Sequence, residues 1–387
     1  MNNRPQEILS TLADTISTSI LDALGASSVE SIFLSGGVAE DRIACFENNG
    51  FLEIYSDLDI FVVVAPGVDL AGAKSAARSV IPGLPLDTGA YRLFRFPDIG
   101  VYDEGDLLSQ PARPGTVEIP LHFRMLYGRE DIVRRTRRFD VSAIRRHESL
   151  YLLENRLREE AGLCARLKED ASDGFMRSMF YTSLKHCLDV VSALLIAEGR
   201  YVCDIDERVR LFESRGTDVD IAPGREAIET IKYARTHLRN LQAAMRSERE
   251  RFETVRRQSE MLLLTTWKSI AAAIFEKGRW TGWDELLERR LRAESPARAL
   301  KESIVVSRRC GRPLMTGVSL WTKRPRARVT AALRCSGLGE ILAQRGGTEL
   351  GAPPDRFIAY LNAVTFALGD AGDGLFDRSR KLFERLS

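Results

Sequence analysis

Asp57 and Asp59 stand one residue apart in the stretch Tyr55-Ser56-Asp57-Leu58-Asp59-Ile60, which runs straight into Phe61-Val62-Val63-Val64. On a strand, residues two apart point to the same side. The two carboxylates can therefore share a divalent cation while Leu58 and Ile60 face a core. Aspartate is disfavoured inside strands, and two of them ahead of an apolar run are locally costly. A bound cation would offset both charges. Upstream, Ile32-Phe33-Leu34-Ser35-Gly36-Gly37 reads as a buried strand ending in a glycine turn, where backbone N–H groups can approach a phosphate closely. A phosphate cradle beside paired aspartates points to metal-assisted nucleotide chemistry.

Residues of this kind need a sheet to hold them. Ile8, Leu9, Leu12, Ile16, Ile20, Leu21 and Leu24 recur at three- and four-residue steps, so the chain opens with an amphipathic helix ahead of the first strand. Phe46-Glu47-Asn48-Asn49-Gly50 reads as a turn, and residues 69–81 as a helix. Strand signals continue to about Gly128 and then vanish. From Glu130 on, segments near 148–168, 174–199, 224–246 and 249–277 read as helices of bundle length, with Gly199, Gly216, Pro223 and Gly278 as breakers. Shorter helices are expected near 283–293, 327–344, 354–368 and 374–386. The expected fold class is α+β, a mixed sheet with helices followed by a mostly α-helical region. The expected domains are 1–130, a helical bundle at 131–280, and a C-terminal helical region at 281–387.

At the glycine turn and the aspartate pair the chain resembles the nucleotidyltransferase superfamily of the DNA polymerase beta type, over about residues 30–128 and more loosely to about 280. In that resemblance Gly36 and Gly37 stand for the family's glycine turn. Asp57 and Asp59 stand for its metal pair, and Ser56 completes the Ser-Asp-x-Asp form. What the resemblance implies is a Mg²⁺- or Mn²⁺-dependent enzyme that moves a nucleoside monophosphate from a nucleoside triphosphate to a hydroxyl acceptor and releases pyrophosphate. It also implies a third carboxylate on a later strand, for which two residues compete. Glu118 lies in Thr116-Val117-Glu118-Ile119-Pro120-Leu121-His122-Phe123, whose alternation puts it opposite the apolar face, and Met125-Leu126-Tyr127-Gly128 after it looks like the Leu-Tyr-Gly that follows the family's sheet. Asp87 follows the 69–81 helix directly, but Pro85 and Gly89 weaken its strand. Glu118 is favoured. In the helical region, Lys185 on the segment from Tyr181 to Asp189 is the candidate for a lysine that reaches across to the triphosphate, with Tyr181 one turn earlier.

The chain also departs from the family's pattern. Gly37 replaces a common serine, and Glu40, Asp41 and Arg42 reverse the local order of charge after the turn. Those departures support an alternative, a catalytically degenerate member acting as a nucleotide-binding, regulatory or RNA-binding module. No histidine follows an arginine at the spacing of the helical ribonucleases that partner minimal nucleotidyltransferases. His122 is the histidine nearest the chemistry.

Composition bounds the remainder. A chain of 387 residues, 44% apolar and 28% charged, has the make-up of an ordinary globular protein. The net charge of +2 is too small to argue for nucleic acid by itself. Two basic stretches do attract attention, one from Arg134 to Arg146 and one between Arg308 and Arg328 that includes Trp321. The second is where an RNA or acceptor contact is expected. Six scattered cysteines without Cys-x-x-Cys spacing fit a reducing cytoplasm. No run reaches the ~18 apolar residues of a membrane span, so a cytoplasmic protein without a membrane partner is expected.

Overall fold

The computed structural model describes residues 4–276, apart from 96, 137–139, 168–171, 215–224 and 248, together with 285, 286, 289 and 290. It is an α+β protein, with the sheets in the N-terminal third and helices thereafter. Helix α1 (Arg4–Leu24) buries Leu9, Leu12, Ile16 and Ile20, one stripe of its predicted apolar face. It leads into β1 (Val29–Ser35), a strand buried at nearly every position. The hairpin β2 (Cys45–Asn48) and β3 (Phe51–Ile54) turns at Asn49-Gly50, both at positive φ, the pair that a two-residue hairpin turn favours.

The other elements of this part are β4 (Asp59–Val64), α2 (Leu70–Ser79), β5 (Tyr91–Leu93), β6 (Asp98–Asp103), α3 (Glu104–Leu108), α4 (Pro114–Glu118), β7 (Phe123–Gly128) and α5 (Glu130–Arg135). Four strands form one sheet in the order β6-β4-β1-β7, and three form another in the order β2-β3-β5. Strand β1 is antiparallel to β4 and β7, and β4 is parallel to β6. On one face of the larger sheet, Ile32, Leu34, Ile60 and Val62 pack with the α1 stripe and with Ala73 and Ala77 of α2. On the other, Phe33 and Val63 meet Leu107, Ile119, Ile132 and Val133. Asp69 starts α2 where the sequence predicts it, its carboxylate accepting from the Ala71 and Gly72 N–H groups.

The expected strand from Thr116 to Phe123 is a correction. Residues 114–118 form the short helix α4, and β7 begins only at Phe123. Pro114 at the first turn suits a helix start, and the Thr116 hydroxyl accepts from the Arg113 N–H at 2.8 Å. Pro120 has no N–H to give a ladder. The alternating apolar residues therefore meet the core from a helix and its exit.

The bundle consists of α6 (His147–Leu167), α7 (Asp173–Ala197), α8 (Ile205–Glu213), α9 (Arg225–Arg239), α10 (Leu241–Ser247) and α11 (Phe252–Ile274). The expected helix at 224–246 is two helices, and α8 had no counterpart in the sequence reading. Helix α7 alone among the described helices has the length and hydropathy to cross a membrane. Its apolar surface is instead packed in the bundle core between α6, α9 and α11. Phe46 and Tyr55 from the smaller sheet join that core, as does Leu286. At the outer edge of the smaller sheet, the Gln242 carboxamide accepts from the Glu47 N–H at 2.8 Å and donates to the Glu47 carbonyl at 2.9 Å.

Candidate functional site

Asp59 is the first residue of β4, and strand register decides its company. It stands opposite Ser35, the last residue of β1, and opposite Asp98, the first residue of β6. The glycine turn follows Ser35 directly, so Gly36 comes within one residue of the Asp59 rung. Gly36 has φ 78°, and a Cβ built there would lie 3.1 Å from Asp59 Oδ2. Both facts call for glycine at that position. The Gly36 N–H donates to the His122 carbonyl at 3.3 Å, so Gly36 brings the turn and the carboxylate together while the exposed Gly37 starts the short helical turn to Glu40.

Asp98 is the acidic residue that the sequence reading missed. It is exposed, while Ile99 and Val101 beside it are buried. That alternation was available in Asp98-Ile99-Gly100-Val101 as a period-2 signal, although short and interrupted by a glycine. Burial first, and then the charges of Asp57 and Asp98, push the Asp59 carboxyl up to about 6.

Asp57 lies two residues before the strand and has different partners. Lys185, on α7, places Nζ 3.2 Å from both Asp57 oxygens. Arg95, between β5 and β6, holds Nη1 3.8 Å from Oδ2. Burial raises the Asp57 carboxyl, but Lys185 and Arg95 outweigh it, and the net shift is downward. Two aspartates one residue apart are thus driven in opposite directions: Lys185 and Arg95 act on both, but only Asp57 is in contact with them. Lys185 was expected at this site, and the structure brings it there. Arg95 was not expected, since nothing local in Leu93-Phe94-Arg95 announces a partner far along the chain. Behind Arg95 the charges continue into the bundle. Glu159 receives Arg95 at 2.5 Å and Arg156 at 3.0 Å, with the His186 ring 3.2 Å away. Arg156 also reaches Asp189 at 2.6 Å.

The remaining predicted residues are placed as follows. Glu118 is the last residue of α4, and its carboxylate is bound by Arg208 and by the Tyr201 hydroxyl. Those partners belong to the junction with α8, so Glu118 is taken up in a helix-to-helix contact. Asp87 pairs with exposed Arg92 at 3.4 Å, beside the smaller sheet. Ser56 is buried and its hydroxyl accepts from the Ala44 N–H at 2.8 Å, which fixes the segment leading to Asp57. His122 directs Nδ1 to Glu40 at 2.6 Å, and burial leaves its imidazole below its usual value. Tyr181 is buried, with the Arg95 guanidinium 5.9 Å from its ring centre. The basic stretch between Arg308 and Arg328 lies outside the described residues.

Asp57, Asp59 and Asp98 offer only carboxylate oxygens, the ligand type of a hard divalent cation, and burial with the charges of Asp57 and Asp98 holds the Asp59 carboxyl up although Lys185 and Arg95 act against it. Among the described residues, no three His, Cys, Asp or Glu side chains are grouped closely enough to enclose a metal ion. Asp57 faces Lys185 and Arg95 instead. No family model matches this chain, and no curated protein matches it either.

Proposed function

We propose that the protein is a metal-dependent nucleotidyltransferase that moves a nucleoside monophosphate from a nucleoside triphosphate to a hydroxyl acceptor. The observation that carries this reading is the rung Ser35–Asp59–Asp98, with the Gly36 turn at one end and the Lys185–Asp57 pair beside it. This is the arrangement that the resemblance to the nucleotidyltransferase superfamily implies, with Asp98 taking the place for which Glu118 and Asp87 competed.

Asp59 and Asp98, on one rung, and Asp57, whose oxygens Lys185 now occupies, would have to draw together to hold Mg²⁺ or Mn²⁺, which when bound supplies charge neutralisation at the phosphates and acidifies the attacking hydroxyl. The acceptor oxygen bonds to the α-phosphorus, the bond to the α–β bridging oxygen breaks, and pyrophosphate leaves. The hydroxyl proton passes to a carboxylate, and Asp98, exposed beside Asp59, is the candidate base. The turn would receive the phosphates at Gly37, since the Gly36 N–H is taken by the His122 carbonyl, and Lys185 offsets charge on the leaving group. Free thiols at Cys45, Cys187 and Cys203 agree with work in the cytoplasm.

The ion pairing of Asp57 favours a second reading, a nucleotide-binding module without turnover. Lys185 and Arg95 already neutralise one member of the metal pair. Pyrophosphate release from the four ribonucleoside triphosphates, with Mg²⁺ or Mn²⁺ and an extract as acceptor source, separates the two. The transferase reading expects release by wild type and its loss, by at least about a thousandfold, in Asp59→Asn. Binding of a triphosphate without release would establish the module, and release that persists in Asp59→Asn would sink the proposed site.

A further inference from the structure

His186 lies in the middle of α7 and its side chain keeps no exposed surface. Both ring nitrogens face carboxylates of α6. Nε2 stands 3.2 Å from Glu159 Oε2, and Nδ1 stands 3.4 Å from Glu160 Oε2. Two consecutive residues of one helix thus close on a single imidazole. Each carboxylate also meets arginine. Glu159 receives Arg95 on Oε1 at 2.5 Å and Arg156 on Oε2 at 3.0 Å. Glu160 receives Arg256 of α11 on Oε1 at 2.8 Å, and the same guanidinium nitrogen reaches Glu260 at 3.0 Å. On the ring's own helix, Lys185 is directed to Asp57, Asp189 is bound by Arg156, and burial pushes the Cys187 thiol up. From α8 and α9, Arg208 is bound to Ser192 and Glu118, and Arg235 to Asp206.

A neutral imidazole has one donor and one acceptor, whereas an ionised carboxylate only accepts. In the neutral state one ring nitrogen would turn a lone pair towards a carboxylate, so only the imidazolium serves both glutamates. Independently of the transferase reading, we propose that His186 is a buried imidazolium that holds Glu159 and Glu160 together and, through Glu159, positions Arg95 beside Asp57. Burial disfavours the charged ring, but the two carboxylates outweigh it, and the imidazole is raised above its usual value. Burial likewise raises the Glu159 carboxyl, and His186, Arg95 and Arg156 together bring it well down. When the proton leaves, the ring gives up one glutamate. Should Glu159 turn, Arg95 Nη2 is left with its hydrogen bond to Thr182 alone, one helical turn before His186. The proton thus sets how firmly the cation beside Asp57 is held. Because the folded value lies above the unfolded one, the contribution of His186 to stability is present in full below about pH 6.5 and is lost as pH rises through the folded value.

The test is nitrogen NMR of the full-length protein labelled in its four histidines, at pH 7, where an ordinary imidazole with a value of about 6.5 is mostly neutral. One histidine is expected to carry protons on both nitrogens, and its signals are expected to vanish in His186→Gln. A spectrum in which all four rings are neutral overturns the proposal, and wild type alone decides that point if the variant fails to fold. His186→Gln keeps a donor and an acceptor without the charge. In urea unfolding below about pH 6.5, its equilibrium constant for folding is expected to fall on the order of 10- to 100-fold, the range of a hydrogen bond to a charged group. The gap to wild type is expected to narrow as pH rises further, and a gap that stays flat from pH 6 to 8 overturns the proposal as well. Positioning is read at the Arg95 guanidinium, whose proton signals are assigned by their loss in Arg95→Lys. They are expected to be sharp in wild type at pH 6 and to broaden in His186→Gln, a change that a brace confined to the bundle would not produce. Arg95 signals indifferent to His186 overturn the relay to the site.

Discussion

Glu154 and Asp57 are both carboxylates met by cations from elsewhere in the chain, yet their surroundings differ. Glu154 on α6 is fully enclosed. Arg290 reaches its two oxygens at 2.6 and 2.9 Å, and the Trp267 indole N–H lies 3.3 Å away. Neither Glu154 nor Arg290 retains more than 2% exposure. Asp57 keeps a third of its side-chain surface open, and its lysine and arginine keep nearly as much in proportion. Enclosure makes the first pair part of the core, where each partner exists to neutralise the other. Exposure leaves the second pair exchangeable, because water or a ligand can take over either side at modest cost. Beside Asp57 a second acid, Asp59, shares the field of the same lysine and arginine without touching them.

The comparison can be broken by removing one partner from each side. Arg290→Ala should cost about 3–5 kcal/mol of stability, the range for a buried pair that loses one member, as read by urea unfolding. A loss below 1 kcal/mol would show that Glu154 is not enclosed as described. The third carboxylate sharpens the other side. Asp98→Asn should lower pyrophosphate release on the order of 100-fold, equivalent to about 2.7 kcal/mol, with little change in unfolding. Glu118→Gln should do the opposite, weakening the α4–α8 junction by about 1–3 kcal/mol while keeping turnover within a few-fold. If Glu118→Gln proves to be the dead variant, the assignment of Asp98 fails.

The smallest effect is one of pH. The folded protein holds the Asp59 carboxyl at about 6, above its usual 3.8. Between those values the folded chain keeps a proton that the unfolded chain has released. Asp59 therefore costs stability progressively as pH rises from about 4 to about 6, by an amount on the order of 2 kcal/mol. Asp59→Asn cannot ionise and escapes that cost. In the absence of divalent cations, the variant should gain on wild type across this window and keep its advantage at pH 7. Asp57, held below its usual range by Lys185 and Arg95, acts in the other direction but is present in both proteins. A stability difference that stays flat from pH 4 to 7 would show that Asp59 is not perturbed.

Local pattern carried the first half of the site. The alternation around Asp59 and the glycines after Ser35 are period-2 and turn signals within a few residues, and β1, β4 and the Gly36 approach agree with them. Glu118 failed because an apolar alternation of Val117, Ile119, Leu121 and Phe123 can be served by a short helix and its exit as well as by a strand. Pro114 and Pro120 were the residues that decided it. Asp98 was hidden by brevity, since only Ile99 and Val101 mark its strand and Gly100 divides them. Arg95 and Glu159 were beyond sequence reading for a different reason. They lie 64 positions apart, and only the docking of α6 and α7 against the segment after β5 makes them neighbours. Lys185 was placed by resemblance, not by pattern, and in the fold it meets Asp57.

The Gln242 carboxamide offers both a donor and an acceptor to the outward edge of Glu47, much as a neighbouring strand would. A β-edge left bare is an invitation to another molecule, and aggregation commonly begins there. Here two side chains of α10 meet that edge at Glu47, Gln242 with the same two bonds that an intruding chain would use and Arg246 at 3.4 Å from the Glu47 carbonyl. The smaller sheet can thus end at three strands without becoming adhesive, and the protection moves with α10: a rearrangement that pulled this helix away would uncover the edge at the same moment.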